Sequence, residues 1–187
     1  NYIEGLLEGG VLDGEGGGDA PPWATEGGDV EKDPMYDQAV AAVLEHKRAP
    51  RNFGALEHAT HQAQGTNPSC GDRVAVQLRM DGDKVADIRF TGQGCAICMA
   101  STSMMTEAVK GRDVEVAKTL QQHFRAVLTG EAEPEAAPLG KLVSLAGVRR
   151  YPSRIKCALL GWHALMHALA QEAQSLDAPT VTLEEAP

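Results

Sequence analysis

The chain has 187 residues, of which 43% are hydrophobic and 23% charged, and its formal net charge is −9. This length suits one domain with a sizeable core and is too short for two comfortable ones. Its composition excludes collagen-like and coiled-coil proteins, and its apolar stretches fall far short of the roughly 18–20 residues that a transmembrane helix needs.

The N-terminus lacks the basic start, apolar stretch and small-residue cleavage site of a secretory signal, so we expect a cytoplasmic protein. The chain begins at Asn1 rather than Met, as a fragment or a processed product would. Without a secretory signal, the four cysteines favour metal or redox chemistry over a disulfide framework.

The negative charge is concentrated at the N-terminus. Residues 1–34 hold nine acids against the single base Lys32, together with nine of the twenty glycines. A glycine-rich, like-charged segment cannot bury enough apolar surface to offset its ordering entropy, so we predict that 1–34 is a disordered tail or linker. The remainder is nearly neutral and has no basic stripe, so we expect neither nucleic acid nor a membrane as partner.

A single domain is predicted over residues 35–175, followed by a polar, unpatterned C-terminus (176–187) that we expect to fray. The domain begins with a helix from Pro34 to about His46, where apolar residues recur at helical spacing. The stretch 57–64 is ambiguous and is compatible with a short strand.

A β-hairpin is predicted after the turn signal Asn67-Pro68. Apolar residues alternate with polar ones over 73–80 and again over 85–90, and the turn sequence Asp81-Gly-Asp separates the two runs. The sequence Gly92-Gln-Gly then ends the alternation.

Helical patterns dominate the chain after the hairpin. The predicted helices are 95–109, 113–128 with Asp113 as its N-cap, a short one over 139–145, and a last one over 153–173. Strands grouped together and followed by grouped helices indicate an α+β fold, in which helices pack on one face of a small antiparallel sheet with the hairpin at its core.

Three cysteines fall at junctions between the predicted elements. Cys70 lies in the turn before the hairpin, Cys95 in the turn after it at the start of a helix, and Cys157 at the start of the last helix. A hairpin brings its two ends together, and Gly71 allows the backbone to direct Cys70 and Asp72 toward one point. Two or three thiolates with one carboxylate suit a four-coordinate zinc site. In addition, a helix N-terminus lowers the pKa of a thiol, which would make Cys95 reactive.

The fourth cysteine and the histidines leave alternatives open. We interpret Cys98 as a buried apolar residue, although it could serve as a spare ligand in place of Asp72. Cys95 and Cys98 also have the spacing of a redox dithiol, but the βαβ context of that motif is missing. His163 and His167 have the i,i+4 spacing of a metal pair, for which amphipathic packing is the favoured explanation. The remaining histidines are interpreted as surface or packing residues: His46, His58, His61 and His123.

Three sequence motifs carry a family resemblance. They are Asn67-Pro-Ser-Cys-Gly-Asp72, Gly92-Gln-Gly-Cys-Ala-Ile-Cys-Met-Ala-Ser101 and Arg154-Ile-Lys-Cys-Ala-Leu-Leu-Gly-Trp162. In this order and spacing they resemble the U-type iron–sulfur cluster assembly family, which includes IscU, SufU and the N-terminal domain of NifU. The resemblance extends over roughly residues 35–171 and implies the family's α+β fold and a role in iron–sulfur cluster assembly.

Within this family the chain is similar to SufU-like sulfur acceptors more than to IscU-like scaffolds. Residues 130–150 resemble the insertion that SufU proteins carry before the last cysteine. Lys156 stands where IscU-like proteins have a histidine, and nothing in the chain resembles their Leu-Pro-Pro-Val-Lys chaperone-binding motif.

The resemblance implies a role for each matching residue. The residues that match the zinc ligands are Cys70, Asp72, Cys95 and Cys157. Cys70 also matches the cysteine that accepts sulfur: a histidine of the desulfurase takes its place on zinc, and the freed thiolate attacks the persulfide of that enzyme. Arg154 matches a family arginine that could stabilise thiolate or persulfide charge. The implied partners are a SufS-type cysteine desulfurase and downstream iron–sulfur scaffold proteins.

Two other functions could use the same residues. A scaffold would bind iron and build a [2Fe–2S] cluster, because thiolates suit both metals. A structural zinc module would serve only for binding and would unfold without its metal, whereas the other two functions predict a core that partly survives metal loss. Lys156 and the insertion favour the zinc-dependent sulfur acceptor, a sulfurtransferase that works with a desulfurase and not as a stand-alone enzyme.

Overall fold

The structure, a computed structural model, describes residues 34–134, 138–171 and 180–182. The predicted tail, apart from Pro34, and most of the predicted C-terminal end lie outside the described residues. In chain order the elements are α1 (Pro34–Arg48), β1 (His61–Asn67), β2 (Asp72–Asp81), β3 (Lys84–Gln93), α2 (Ala96–Val109), α3 (Val114–Thr129), a 3-10 helix (Gly140–Arg150), α4 (Pro152–Leu169) and β4 (Thr180–Thr182). None of the described helices is long and apolar enough to cross a membrane.

The strands form one sheet in the order β3-β2-β1-β4. Both β1 and β3 pair with β2 in antiparallel register, which confirms the predicted hairpin, and β4 pairs with β1 in parallel. The alternation predicted for β2 is confirmed, since Val74, Val76 and Leu78 are buried on one face. In β3 the buried residues Val85 and Ile88 are three apart, because a register shift opposite Arg79 and Met80 interrupts the pairing.

The helices cover one face of the sheet, which confirms the predicted α+β fold. Helix α4 packs against β1, β2 and α2, and α1 packs against α2 and the 3-10 helix. Trp162 of α4 is fully buried in the core, and the centroid of its ring lies 5.7 Å from the ring centroid of Phe124 in α3. This packing places the start of α4 against the end of the sheet where β2 begins.

Strand β1 occupies residues 61–67, so the predicted range of 57–64 begins four residues too early. Its sequence, His-Gln-Ala-Gln-Gly-Thr-Asn, contains almost no apolar residues and gives little alternation to detect. At Gly65 the strand passes close under Leu160, whose Cδ1 would lie 2.9 Å from an added Cβ. A tertiary contact therefore positions this strand more than local propensity does.

Three local predictions are wrong in detail. The short helix predicted over 139–145 is a longer 3-10 helix over 140–150. Asp113 occupies the N-cap position of α3, but its side chain makes no capping bond; the N–H of Val114 instead donates to the carbonyl of Asp83 in the hairpin turn. The expected frayed C-terminus includes β4, whose pairing with a strand more than 110 residues earlier leaves no local sequence signal.

Candidate metal centre

The turn between β1 and β2 presents Cys70. The carbonyl of Asn67 accepts hydrogen bonds from the N–H of Cys70 at 3.2 Å and from that of Gly71 at 2.8 Å. Gly71 has a φ of 71°, a conformation that glycine adopts at little cost. The Cys70 side chain is half-buried at the surface of this tight turn.

Asp72, the first residue of β2, ties the two ends of the hairpin together. Its side chain is 1% exposed, and its Oδ1 accepts a hydrogen bond from the N–H of Cys95 at 2.8 Å. This close approach of Asp72 to the turn requires Gly94, because an added Cβ at Gly94 would lie 2.7 Å from Oδ1 of Asp72. Asp72 therefore orients the turn that carries Cys95 and also offers its second oxygen to the site.

Cys157, in the second turn of α4, is fully buried. Its Sγ lies 3.4 Å from the Sγ of Cys70, and the side-chain amide of Asn67 donates to the same Cys157 sulfur at 3.5 Å. Asn67 is itself 2% exposed. Sequence reasoning gave Asn67 only a turn role; its neighbour Pro68 signals the turn, but no local pattern links its side chain to Cys157.

The structure brings three of the four predicted ligands into one group. The ligand atoms of Cys70, Asp72 and Cys157 all lie within 4.8 Å of one another. Cys95 stands beside this group and not within it, with its Sγ 3.9 Å from Oδ2 of Asp72. Two thiols and a carboxylate, with a third thiol adjacent, form a donor set that fits zinc. The assignment of all four residues as ligands stays a prediction.

Comparison with known proteins places this geometry in a family. The sequence model of the family of NifU-like N-terminal domains matches residues 37–170. The chain belongs to the family of NifU-like N-terminal domains. The domain boundaries predicted from sequence, 35–175, enclose the matched range.

Relatives of two kinds match the NifU-like domain. The zinc-dependent sulfurtransferase SufU of Bacillus subtilis is 41% identical over 140 residues, which cover 75% of this chain and 92% of the relative. The iron–sulfur cluster assembly scaffold protein IscU of Streptococcus pyogenes is 40% identical over 136 residues, or 73% and 85% of the two chains. A crystal structure assigned to a SUF-system scaffold protein of Fervidobacterium islandicum superposes with a TM-score of 0.64 at 34% identity, over 68% of this chain and 93% of that one.

The thiols of this NifU-like domain do not ionise equally. The hydrogen bond from Cys157 lowers the pKa of Cys95 to about 7, although burial acts to raise it. The backbone N–H groups of the first turn of α2 lower it further. The pKa of Cys157 is raised, because its proton is held against the Cys95 sulfur and because the site is buried. The direction agrees with the low pKa predicted for Cys95, but its main cause is a neighbouring thiol and not the helix N-terminus. The reactivity of Cys95 stays a prediction.

Arg154 supplies the positive charge of the site. It lies in the first turn of α4, and its Nη1 is 3.6 Å from the Sγ of Cys70. Burial acts to lower the pKa of this guanidinium, but its hydrogen bond to Cys157 and the negative charge of the thiolates raise it. The side chain therefore faces the thiols as a permanent cation.

Cys98 has the packing role that the sequence suggested. Its side chain is 0% exposed, and burial raises the pKa of its thiol well above the usual range. It does not belong to the group formed by Cys70, Asp72 and Cys157, and all four cysteines are free thiols. A reactive dithiol needs two accessible sulfurs, and a fully buried Cys98 does not provide the second.

Among the described residues, the histidines belong to no group of three or more potential metal ligands. Burial lowers the pKa of His163, and the nearby His167 and Arg125 lower it further. His46 is 2% exposed, and its Nδ1 lies 2.7 Å from the Oγ of Ser103. The packing interpretation holds for His46, which bonds inside the protein.

Proposed function

We propose that this protein accepts sulfur from a cysteine desulfurase at Cys70 and passes it on for iron–sulfur cluster assembly. The observation that carries the proposal is the contact of a half-buried Cys70 with Asp72, Cys157 and the guanidinium of Arg154 at one end of the sheet. The 41% identity to a relative named as a zinc-dependent sulfurtransferase supports the same function.

The proposed chemistry is thiol–persulfide exchange. The Cys70 thiolate attacks the terminal sulfur of the persulfide on the desulfurase cysteine; a new S–S bond forms at Cys70, and the S–S bond on the desulfurase breaks. The desulfurase cysteine leaves as a thiolate, so that no net oxidation occurs. Arg154 lies where it favours the anion on Cys70 both before and after the exchange.

We further propose that zinc is bound by Cys70, Asp72, Cys95 and Cys157. When bound, zinc would keep its thiol ligands deprotonated and protected. Asp72 and Cys157 are buried and held by hydrogen bonds, so they form the fixed part of the site, whereas Cys70 lies on a surface turn and is the residue free to leave.

The proposed partners are a SufS-type cysteine desulfurase and downstream iron–sulfur scaffold proteins. We place the activity in the cytoplasm, where reducing conditions keep thiols available, consistent with four unpaired cysteines. The alternative is an iron-binding scaffold that builds a [2Fe–2S] cluster on the same thiols, a function supported by the 40% identity to a relative named as a scaffold.

The proposal is tested by replacing Cys70 with alanine and measuring metal content and desulfurase activity. We expect about one zinc per wild-type chain and stimulation of a SufS-type desulfurase that Cys70→Ala abolishes, because Cys70 is the half-buried thiol that the guanidinium of Arg154 contacts. Cys98→Ala is the matched control, since its buried sulfur lies outside the group and its loss should leave both properties unchanged.

Two outcomes would contradict the proposal. Iron with acid-labile sulfide in the purified protein, without desulfurase stimulation, would establish the scaffold function. Full stimulation by Cys70→Ala would show that sulfur is accepted elsewhere.

A further inference from the structure

The thiols of this protein differ in how closely they approach Cys70. The Sγ atoms of Cys70 and Cys157 lie 3.4 Å apart, and both belong to the group whose ligand atoms all lie within 4.8 Å of one another. Cys95 and Cys98 lie outside that group, and Cys98 is fully buried in the core. Cys157 is therefore the thiol best placed to react with a sulfur species formed on Cys70.

The two sulfurs also differ in their access to solvent. Cys70 is half-buried on its surface turn, whereas Cys157 is fully buried on α4. Burial shields Cys157 from dissolved thiols and oxidants, but it leaves this sulfur in contact with Cys70. An S–S bond is about 2.0 Å long, so the two sulfurs must approach each other by about 1.4 Å to form one. We expect the surface turn to supply this movement, because Cys157 lies in a packed helix.

We propose that Cys157 is a resolving thiol, which attacks a persulfide on Cys70, forms the Cys70–Cys157 disulfide and releases hydrosulfide. The inference rests on the proposed function, which supplies the persulfide. It deepens that function by naming the chemical form in which the accepted sulfur leaves the protein. This form is inorganic sulfide, the sulfur species that an iron–sulfur cluster contains.

The step balances without an external oxidant. The Cys157 sulfur attacks Sγ of Cys70, and the new Sγ–Sγ bond forms as the bond between Sγ of Cys70 and the terminal sulfur breaks. The proton of the Cys157 thiol ends on the departing sulfur, which leaves as HS⁻. The terminal sulfur is thereby reduced, and the Cys157 sulfur is oxidised to the disulfide level. The guanidinium of Arg154, whose Nη1 lies 3.6 Å from Sγ of Cys70, is positioned to stabilise the departing anion.

Metal binding at Cys157 would prevent this step, because a sulfur that is bound to a metal is not free to attack. Cys157 is one of the proposed zinc ligands, so the reaction belongs to the chain from which zinc has been lost. Zinc loss would then convert a protein that keeps its accepted sulfur into one that discharges it. The disulfide that remains must be reduced by an external thiol before Cys70 can accept sulfur again.

Titration of the full chain with dithiobis(nitrobenzoate), an aromatic disulfide, tests the resolving role without a desulfurase. The reagent forms a mixed disulfide at Cys70 and releases one coloured thiolate, and attack by Cys157 then releases a second one. After zinc is removed with a chelator, we expect about two thiolates per reagent molecule from wild type and about one from Cys157→Ala. Cys98→Ala is the matched control, because it removes another fully buried cysteine, and it should behave as wild type. Circular dichroism verifies that each chelated protein is folded, and peptide mapping should locate the disulfide between Cys70 and Cys157.

A second measurement follows the sulfur itself, with a persulfide-loaded desulfurase freed of cysteine as the donor. The chelated wild type should release sulfide and end as the internal disulfide, whereas Cys157→Ala should keep one extra sulfur atom at Cys70 by mass spectrometry. A single thiolate per reagent molecule from wild type would overturn the proposal, and so would a Cys70 persulfide that persists on the chelated wild type. If no variant takes sulfur from the desulfurase while the aromatic disulfide still gives the double release, the proposed function fails and the resolving role of Cys157 stands.

Discussion

Asn67 connects the turn that carries Cys70 with Cys157 on α4. Its carbonyl holds the turn that presents Cys70, and its side-chain amide donates to the sulfur of Cys157 at 3.5 Å. One residue therefore positions a ligand on the sheet and a ligand on α4. Groups that bond a metal ligand from outside the metal's own shell affect metal affinity strongly, because they fix the ligand's orientation.

Replacing Asn67 with alanine should weaken zinc binding by about 10-fold, since Cys157 loses its only side-chain amide donor among the described residues. Competition with a chromophoric chelator measures the effect. Gln77→Ala is the control, because it removes a partly buried amide from the middle of β2, away from the site. Unchanged zinc affinity in Asn67→Ala would mean that the amide does not position the sulfur.

At the scale of elements, the crossing of α2 and α4 determines how closely Cys157 approaches the turns. A Cβ at Gly161 would lie 2.4 Å from Oγ1 of Thr102, and the Oγ of Ser101 donates to the carbonyl of Ala158 at 2.6 Å. Small residues at the crossing let the two backbones come together. A larger residue would push α4 away from the sheet.

Gly161→Ala should destabilise the protein by about 1–3 kcal/mol, the usual cost of overpacking a core. Helix propensity alone favours alanine by about 1 kcal/mol, so a loss of stability must come from the contact with Thr102. Urea denaturation gives the free energy of unfolding. Gly147→Ala is the control, because an added Cβ there meets nothing within 4 Å. A Gly161→Ala protein as stable as wild type would contradict this account.

Helix α1 is held to α2 by a buried hydrogen-bond chain through His46. The N–H of Arg51 donates to the Oγ of Ser103 at 2.7 Å, and the Ser103 hydroxyl lies 2.7 Å from Nδ1 of His46. The other imidazole nitrogen lies 3.5 Å from the carboxylate of Glu107. We assign the neutral imidazole, which accepts at Nδ1 and donates at Nε2, as the form that satisfies this chain.

Burial lowers the pKa of His46 below its ordinary value of 6.5, and it outweighs the opposing charge of Glu107. Arg51 and Lys141 also lower this pKa, and Glu45 raises it. The unfolded chain therefore binds the proton more tightly, so His46 makes stability rise with pH, and this contribution is lost as the pH falls below about 6.5.

His46→Gln should flatten the decline in stability between pH 7 and pH 5, because glutamine retains hydrogen bonding but does not titrate. Unfolding free energies of both proteins across this range provide the measurement. Other titrating groups, including His163, contribute to both curves and cancel in the difference. Parallel curves for the two proteins would rule out His46 as the source of the slope.

At the scale of the whole molecule, the apolar core extends far beyond the candidate site. Buried apolar side chains run from α1 through the sheet to α4, and the largest of them include Trp162, Phe90 and Phe124. A domain with such a core folds by apolar burial, whereas a small zinc module folds only with its metal.

Stripping the metal with a chelator should therefore leave the far-ultraviolet circular dichroism nearly unchanged and lower Tm. In a domain of this size each kcal/mol of lost binding energy shifts Tm by about 2–4 °C. Returning zinc should restore the original Tm. Complete loss of helical signal on chelation would instead identify a structural zinc module.

Local sequence features were sufficient for much of the fold, and they also pointed to the three residues that the structure brings together, Cys70, Asp72 and Cys157. The hairpin follows from alternation over β2 and β3 around a turn, and α2 follows from helical spacing after Cys95, because these signals lie between residues adjacent in the chain. Turn chemistry around Cys70 likewise distinguished it from a core cysteine.

Only the tertiary structure decided which of these residues meet. Sequence spacing does not show that Asn67 bonds Cys157, that Arg154 contacts Cys70, or that Cys95 stands outside the group of three. The polar β1 and the three-residue β4 also form through pairing with distant strands. Periodicity and turn propensity arise within a few residues, whereas these contacts depend on how helices pack on the sheet across some 90 residues of chain, and packing is a property of the whole fold.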